Sequence, residues 1–556
     1  MAKTYIFAIG GTGARVLRSL TMLMACGINK FNDDICPIII DYDINNGDKN
    51  RSINCMKKYS TIQNMIAKGR GKIDTQKIEE GKDRNKVLYP FFTTNIASVN
   101  GIPDWTWQFN LRKGEENLKY SDYIDYNNIH IVSPSTEDFV NCLYDTNRNS
   151  VYNELYLNMR EGFQGNPNIG SVVFNDLKNC NEYKNFANSF NEGDRIVIVG
   201  SLFGGTGSSG IPKIVNAIKN DPNTIIKNAN LSVVLVLPYF AVEIPKDKEI
   251  SIKSNIFNSK TKAALNYYED SGLNTKINSI YYVGDKIPTK VEPHIGNKEQ
   301  KNKAHIVELI CAMAIADFAT SQPRPNNTKF KFSSENAITD GIGIDELIGS
   351  PNAWQQNDFV RGILHNMLNF VFSMRYFLDN IVNSPKRMDE RQFYKELQLD
   401  FDNKTAKSSD GESPIKDYCA ALYDFICKKG NLQNDDDGFW PWMKELHDAT
   451  HGEHRLKIFN IDKENIVDIL DGYDFRKDAT KLGKLKIGSE SPLMEYSDQF
   501  DTALNQYLYP YRNGQKQLKE QDKDSYPYIF NDILTQMMEF VRKFDSKLEE
   551  KFKLIP

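Results

Sequence analysis

Five short, almost unbroken apolar runs constrain this chain more than any other feature; they lie at residues 3–9, 37–42, 195–199, 231–237 and 279–283, and each gives way to a loop. A strand with one face in water alternates apolar and polar residues, whereas a parallel strand roofed by helices on both faces stays apolar throughout. Helical periodicity follows several of the runs, the pattern of α/β units, so a mainly parallel, Rossmann-like sheet is predicted. Between about 45 and 160 the alternation lapses into a polar stretch rich in Asn, Lys and Tyr, read as an insertion into that domain. Beyond residue 320, apolar residues recur at three- and four-residue spacing at 354–382, 390–399, 415–428 and 529–549. An α/β domain over 1–320 and a mostly helical region over 321–556 are therefore expected.

Composition removes several function classes. Lys+Arg 69 against Asp+Glu 73 gives a net charge of −4, so no global basic field attracts nucleic acid or an anionic bilayer. The longest apolar run, 231–242, contains Pro238 and falls well short of the ~20 residues a membrane-spanning helix needs. The N-terminus passes into the first apolar run without a secretory leader pattern. Eight scattered cysteines form no C-x-x-C pair, which fits neither a zinc ribbon nor a disulfide scaffold. A cytoplasmic protein without a membrane span is expected.

Two glycine loops follow apolar runs and open helical patterns: Gly10-Gly11-Thr12-Gly13, and Phe203-Gly204-Gly205-Thr206-Gly207-Ser208-Ser209-Gly210. Backbone amides at such strand–loop–helix junctions bind anions, and glycine permits both positive φ and close approach of a phosphate. Thr206, Ser208 and Ser209 add hydroxyls. Two such loops point to a nucleotide. A dinucleotide fingerprint would place a small residue where Val16 stands, and a Walker loop would carry a lysine that neither loop has. An NAD-dependent oxidoreductase is accordingly the weakest alternative.

The second loop, followed by Pro212, resembles the Gly-Gly-Gly-Thr-Gly-Ser/Thr-Gly signature of the tubulin/FtsZ superfamily, with Phe203 and Ser209 at two of the glycine positions. Gly10-Gly11-Thr12-Gly13 resembles that family's first nucleotide loop, and Asp41-Tyr42-Asp43 is similar to its Asn-Thr-Asp. Gly162-Phe163-Gln164-Gly165-Asn166-Pro167-Asn168-Ile169-Gly170 is similar to its γ-phosphate loop, and Pro238-Tyr239-Phe240-Ala241-Val242-Glu243 to its Pro-Phe-x-x-Glu segment. Asn302, ahead of the apolar pattern at 305–318, is similar to the asparagine that reads guanine.

The resemblance covers 1–45 and 160–320 and implies a divergent bacterial tubulin-like protein that binds GTP or GDP, with any Mg2+ held through the phosphates. Gly10, Gly11, Thr12, Gly13, Gly204, Gly205, Thr206, Gly207 and Ser208 would then hold the α- and β-phosphates. Gly165 and Asn166 would close over a third phosphate, Asp43 and Glu243 would face the sugar, and Asn302 the base. Self-assembly into filaments or oligomers is implied as well.

The chain departs from the family where hydrolysis is completed in trans by an acidic loop after the core helix. Residues 321–327 read Ser-Gln-Pro-Arg-Pro-Asn-Asn, without a carboxylate, and the nearest acidic cluster holds Asp340, Asp345 and Glu346. These three are the candidate catalytic residues, against the simpler reading of a solvated turn. Hydrolysis is expected to be slow or partner-dependent. The alternative is a non-polymerising GTP-dependent sensor, in a plasmid, phage or defence setting, that engages another protein through its C-terminal region. His447, His451 and His454 are read as loop histidines rather than zinc ligands, and Phe439-Trp440-Pro441-Trp442 as core packing.

Overall fold

Lys3–Ile9 forms β1 and runs straight into α1 at Gly10–Ala25. Then follow β2 Asp34–Ile40, α2 Gly47–Arg70, α3 Pro167–Val173, β3 Arg195–Ser201, α4 Gly205–Lys219 and β4 Asn230–Val236. After these come β5 Phe240–Val242, α5 Phe257–Asp270, β6 Ser279–Val283, β7 Thr289–Val291, α6 Ile306–Thr320, β8 Thr328–Ser333, β9 Ile342–Gly343 and α7 Pro414–Ile426. The computed structural model describes residues 2–27, 33–70, 91–107, 118–144, 153–242, 256–285, 289–292, 296–333, 342–343, 367, 370, 374, 414–426, 438–439, 441–443, 445–446 and 531. Glu243, Asp340, Asp345, Glu346, the 447–454 histidines and the 529–549 pattern, apart from residue 531, lie outside the described residues.

The main sheet has the order β2-β1-β3-β4-β6-β8-β9, with every pair parallel, and β5 pairs with β7 in a small second sheet. Apart from their first residues, β1, β2, β3 and β4 are buried along their length. One face of β1, Tyr5, Phe7 and Ile9, joins Ile211, Ile214 and Ile218 of α4 in a single core, while Ile6 and Ala8 on the other face are equally buried. Helix α6 packs on β3, β4 and β6 and is itself buried along nearly its whole length. Covering both faces is what requires unbroken apolar runs.

The sheet continues past residue 320, where the sequence places a boundary, because β8 pairs with β6. Its Thr-Lys-Phe-Lys-Phe-Ser alternates as a half-exposed strand does, and Phe330 stacks on Tyr281 with ring centroids 4.7 Å apart. The polar stretch after residue 45 opens with α2 and then returns along β2, where the Ala97 and Trp107 amides donate to Ile35 O and Ile39 O, each at 2.8 Å. The outer edge of the sheet is thereby covered.

The chain divides into two compact units, one of residues 1–20, 30–54 and 96–347 and the other of 21–29, 55–95 and 348–556. The second has an aromatic core: Phe370 meets Phe91 and Phe439 at 4.9 Å each, Phe92 meets Phe425 of α7 at 5.2 Å, and Phe439 meets Trp442 at 5.6 Å. Both Phe439 and Trp442 are fully buried, as core packing requires. Among the described residues no helix is long and apolar enough to cross a membrane, and no disulfide is formed.

A Cβ on Gly13 would stand 2.7 Å from the Ala8 carbonyl carbon and 3.0 Å from Val199 O, so α1 lies flush against β1 and β3 only because residue 13 has no side chain. Val16, one turn further along α1, is fully buried. Gly13→Ala is expected to destabilise the protein by about 1–3 kcal/mol, a drop of several degrees in melting temperature. Gly11→Ala, whose Cβ would meet nothing nearer than Asn46 Nδ2 at 3.4 Å, should stay within about 0.5 kcal/mol of wild type in the same thermal melt.

Candidate functional site

Because β2 lies on one side of β1 and β3 on the other, the topological switch point falls between β1 and β3. In an open parallel sheet the crevice beyond the carboxyl ends of two such strands is the natural ligand site. Both glycine loops open there. A Cβ on Gly10 would lie 3.4 Å from Thr206 Cβ and 3.9 Å from Gly207 N, so the two turns are in contact. The first amides of α1 and α4 lack carbonyl partners within their own helices, and each helix adds the positive end of its dipole. Neither first turn carries an acidic residue, and Gly204, which caps α4, offers no side-chain acceptor.

A cavity of about 150 Å³ is lined by Gly10, Gly11 and Thr12 from the first loop and by Gly204, Gly205, Thr206 and Gly207 from the second. Gly165, Asp43 and Asn302 also line it, whereas Gly13, Asn166 and Ser208 do not. The glycines have separate reasons to be glycine. Gly10 has φ +71°, in the left-handed region. A side chain at Gly207 would collide with the Ser201 carbonyl oxygen, so this residue serves the packing of α4 on β3. The Ser208 hydroxyl donates to Gly204 O and that of Ser209 to Gly205 O at 2.7 Å, so both are turned back onto their own helix.

The third loop is strongly bent, with φ of +74° at Gly162, +42° at Gln164 and +79° at Gly165. It rests on α4, since a Cβ on Gly205 would be 2.9 Å from both Asn166 N and Phe163 Cβ. Lys260 of α5 donates to Gly165 O at 2.5 Å and lines the same cavity. Burial lowers its pKa. Nothing in the sequence singles out Lys260.

The opposite wall is built from buried charge. Arg15 donates to Glu308 at 2.6 Å, to Asp48 at 2.7 Å and to the Tyr239 hydroxyl at 2.6 Å, and Tyr239 donates to Glu308 at 2.7 Å. Burial opposes the charge on Arg15, but Tyr239, Glu308 and Asp48 together hold its pKa well above the ordinary value. A signal did exist, since Arg15 and Glu308 are charges inside apolar helical stretches, which happens only when they are paired.

Asp43 is engaged on both oxygens: its Oδ1 accepts from Asn45 N at 3.0 Å and its Oδ2 from Asn297 N at 2.7 Å, fastening two loops together. Asn302 precedes α6 rather than opening it, the cap being His305. Its amide donates to Asp48 at 3.0 Å and its carbonyl accepts from Arg51 at 3.2 Å. The segment 321–327 enters β8 at the amino end of the parallel sheet, opposite the crevice. It is pinned there by Arg324 on Asp317 at 2.9 Å and by Asn278 on Arg324 O at 3.1 Å. Among the described residues no cluster of three or more His, Cys, Asp or Glu side chains forms a metal site.

Asp41 lines the cavity and is 4% exposed; its Oδ1 accepts from Asp43 N at 3.1 Å, and its Oδ2 has no partner among the described residues. Burial, partly offset by Lys49, pushes its carboxyl up to about 7. A folded-state value above the unfolded one means that the native protein binds the extra proton, so stability falls as pH rises from about 4 through about 7. Asp41→Asn should remove that loss, on the order of a few kcal/mol, so urea melts between about pH 4.5 and about pH 8 should show a flatter profile than wild type.

Comparison of the chain with protein-family models, with curated proteins and with solved structures finds no match.

Proposed function

We propose that the first unit binds a guanosine di- or triphosphate in the crevice between β1 and β3, as a divergent member of the tubulin/FtsZ superfamily whose nucleotide governs self-assembly. The observation that carries this reading is the convergence of two glycine-built helix starts, free of acidic residues, at the switch point of a parallel sheet. In this reading the amides of residues 10–12 and 205–207 hold the α- and β-phosphates, the bent loop at 162–165 closes over a terminal phosphate, and Lys260 supplies positive charge. Asp41 and Glu161 line the same cavity, so a polyphosphate enters most favourably with a divalent cation that offsets the negative charge.

A second reading, a non-polymerising sensor, is favoured by one feature. The segment at 321–327 lacks a carboxylate and is anchored by Arg324, so it is not shaped to complete hydrolysis on a neighbouring subunit. Both readings share the nucleotide site and differ in what occupancy does.

Purified protein is expected to bind GDP or GTP at least about tenfold more tightly than ATP in equilibrium titration. Gly205→Val, which drives a side chain into Asn166 N and Phe163, should weaken binding by about a hundredfold or more while the circular dichroism stays native. Equal affinity for ATP, or unimpaired binding by the variant, rejects the assignment. Sedimentation with GTP separates the readings: pelleted polymer supports assembly, and a monomer at all nucleotide concentrations supports the sensor.

A further inference from the structure

We infer that base selection is set by a relay of two side-chain amides, Asn46 and Gln300, which offers the Gln300 NH2 group to the cavity and so selects a purine with a carbonyl oxygen at its 6-position. The inference rests on the nucleotide reading above and names the residues that discriminate within it.

The relay starts from a group whose polarity is fixed. Asn46 stands just before α2, and its Oδ1 accepts from the backbone amide of Lys49 at 3.0 Å, the usual bond of an asparagine cap. A backbone N–H can only donate, so the oxygen of the Asn46 amide faces the helix and its Nδ2 faces away. That Nδ2 donates to Gln300 Oε1 at 3.0 Å. Orientation therefore passes from main chain to Asn46 and from Asn46 to Gln300, without the ambiguity that normally attends an amide side chain. With its oxygen engaged, Gln300 is left with Nε2, a pure donor with no partner among the described residues.

Position is fixed as firmly as orientation. The loop carrying Gln300 is tied to the Asp43–Asp48 turn on both sides: Gly47 N donates to Asn297 O at 3.0 Å, Asn297 N to Asp43 Oδ2 at 2.7 Å, and Asn302 N to Asp48 Oδ1 at 3.0 Å. A Cβ on Gly47 would stand 2.6 Å from Lys298 O, so the two loops touch at backbone level. Asn46, Gln300 and Asn302 all line the cavity, and a Cβ on Gly11 would lie 3.4 Å from Asn46 Nδ2, which sets the relay beside the first phosphate loop. A preorganised NH2 group matches the O6 of guanine or hypoxanthine and meets the 6-amino group of adenine donor to donor. Gln300 is thus the specificity residue, and Asn46 a positioning residue that acts through it.

The test uses inosine and adenosine diphosphates, which differ only at the 6-position and the adjoining N1, titrated into the full chain. Wild type is expected to prefer the inosine nucleotide. Asn46→Asp keeps the helix cap, because Asp caps as well as Asn, but replaces the donor toward Gln300 with an acceptor. Gln300 then turns its amide over and presents its oxygen. Gln300→Glu makes the same change directly, at a half-buried position that tolerates it. Each variant should shift the inosine-to-adenosine affinity ratio toward adenosine by roughly ten- to a hundredfold, whatever the added charge does to both affinities together. An unchanged ratio with both nucleotides weakened alike would place Gln300 on phosphate or ribose and overturn the inference, leaving the nucleotide site intact. Absence of binding by the wild-type chain would overturn both.

Discussion

Two contacts between helix and strand, made at Gly13 and Gly207, fix where α1 and α4 begin, and the rest of the first unit is arranged around them. Helices usually approach a sheet at side-chain distance; here the backbone of each helix start touches the backbone of β1 or β3. Their amino ends are thereby drawn to the strand ends at the switch point, and the unpaired amides of two first turns face one cavity. Without those contacts the helices would stand off and the amides would be solvated separately.

The cavity separates two kinds of polar chemistry. On one side lie backbone donors with no acceptor among the described residues, the condition under which an anion gains most from entering. On the other lies the Arg15–Asp48–Glu308–Tyr239 cluster, in which every strong charge is answered within hydrogen-bond distance. Such a cluster adds little net stability over an apolar equivalent, but losing one member would leave a buried charge unpaired. It links α1, α2, the residue before β5 and α6, so the wall that bears Asn302 and Gln300 is held to the helix that follows the first glycine loop. Asp41 lies between the two regimes, buried and only half satisfied, which is why its proton affinity is so far from that of an ordinary carboxyl.

Much of this was legible in the sequence, and what was not has a physical cause. The strands at 3–9 and 279–283 have the same bounds in sequence and structure, and β3 and β4 differ only by a residue or two at an end, because burial on both faces writes itself as an apolar run. β8 escaped because it alternates Lys with Phe instead of running apolar. The glycine loops were visible as loops, but which glycine lines the cavity and which packs on a strand depends on distances of a few ångströms that no composition encodes; Gly13 only packs, and Gly207 does both. The engagement of Asp43 was not legible, because one of its two amide donors comes from a residue 254 positions away. Arg15 and Glu308, separated by 293 residues, and Asn46 and Gln300, separated by 254, are likewise pairs that only the folded chain brings together.

Hydrogen–deuterium exchange of the loop amides, with and without GDP, bears most directly on whether the paired helix starts hold phosphate. Slowed exchange at residues 10–12 and 205–207, greater than anywhere else in the first unit, is the expected result. Binding of GDP that leaves those amides exchanging as fast as before would contradict it.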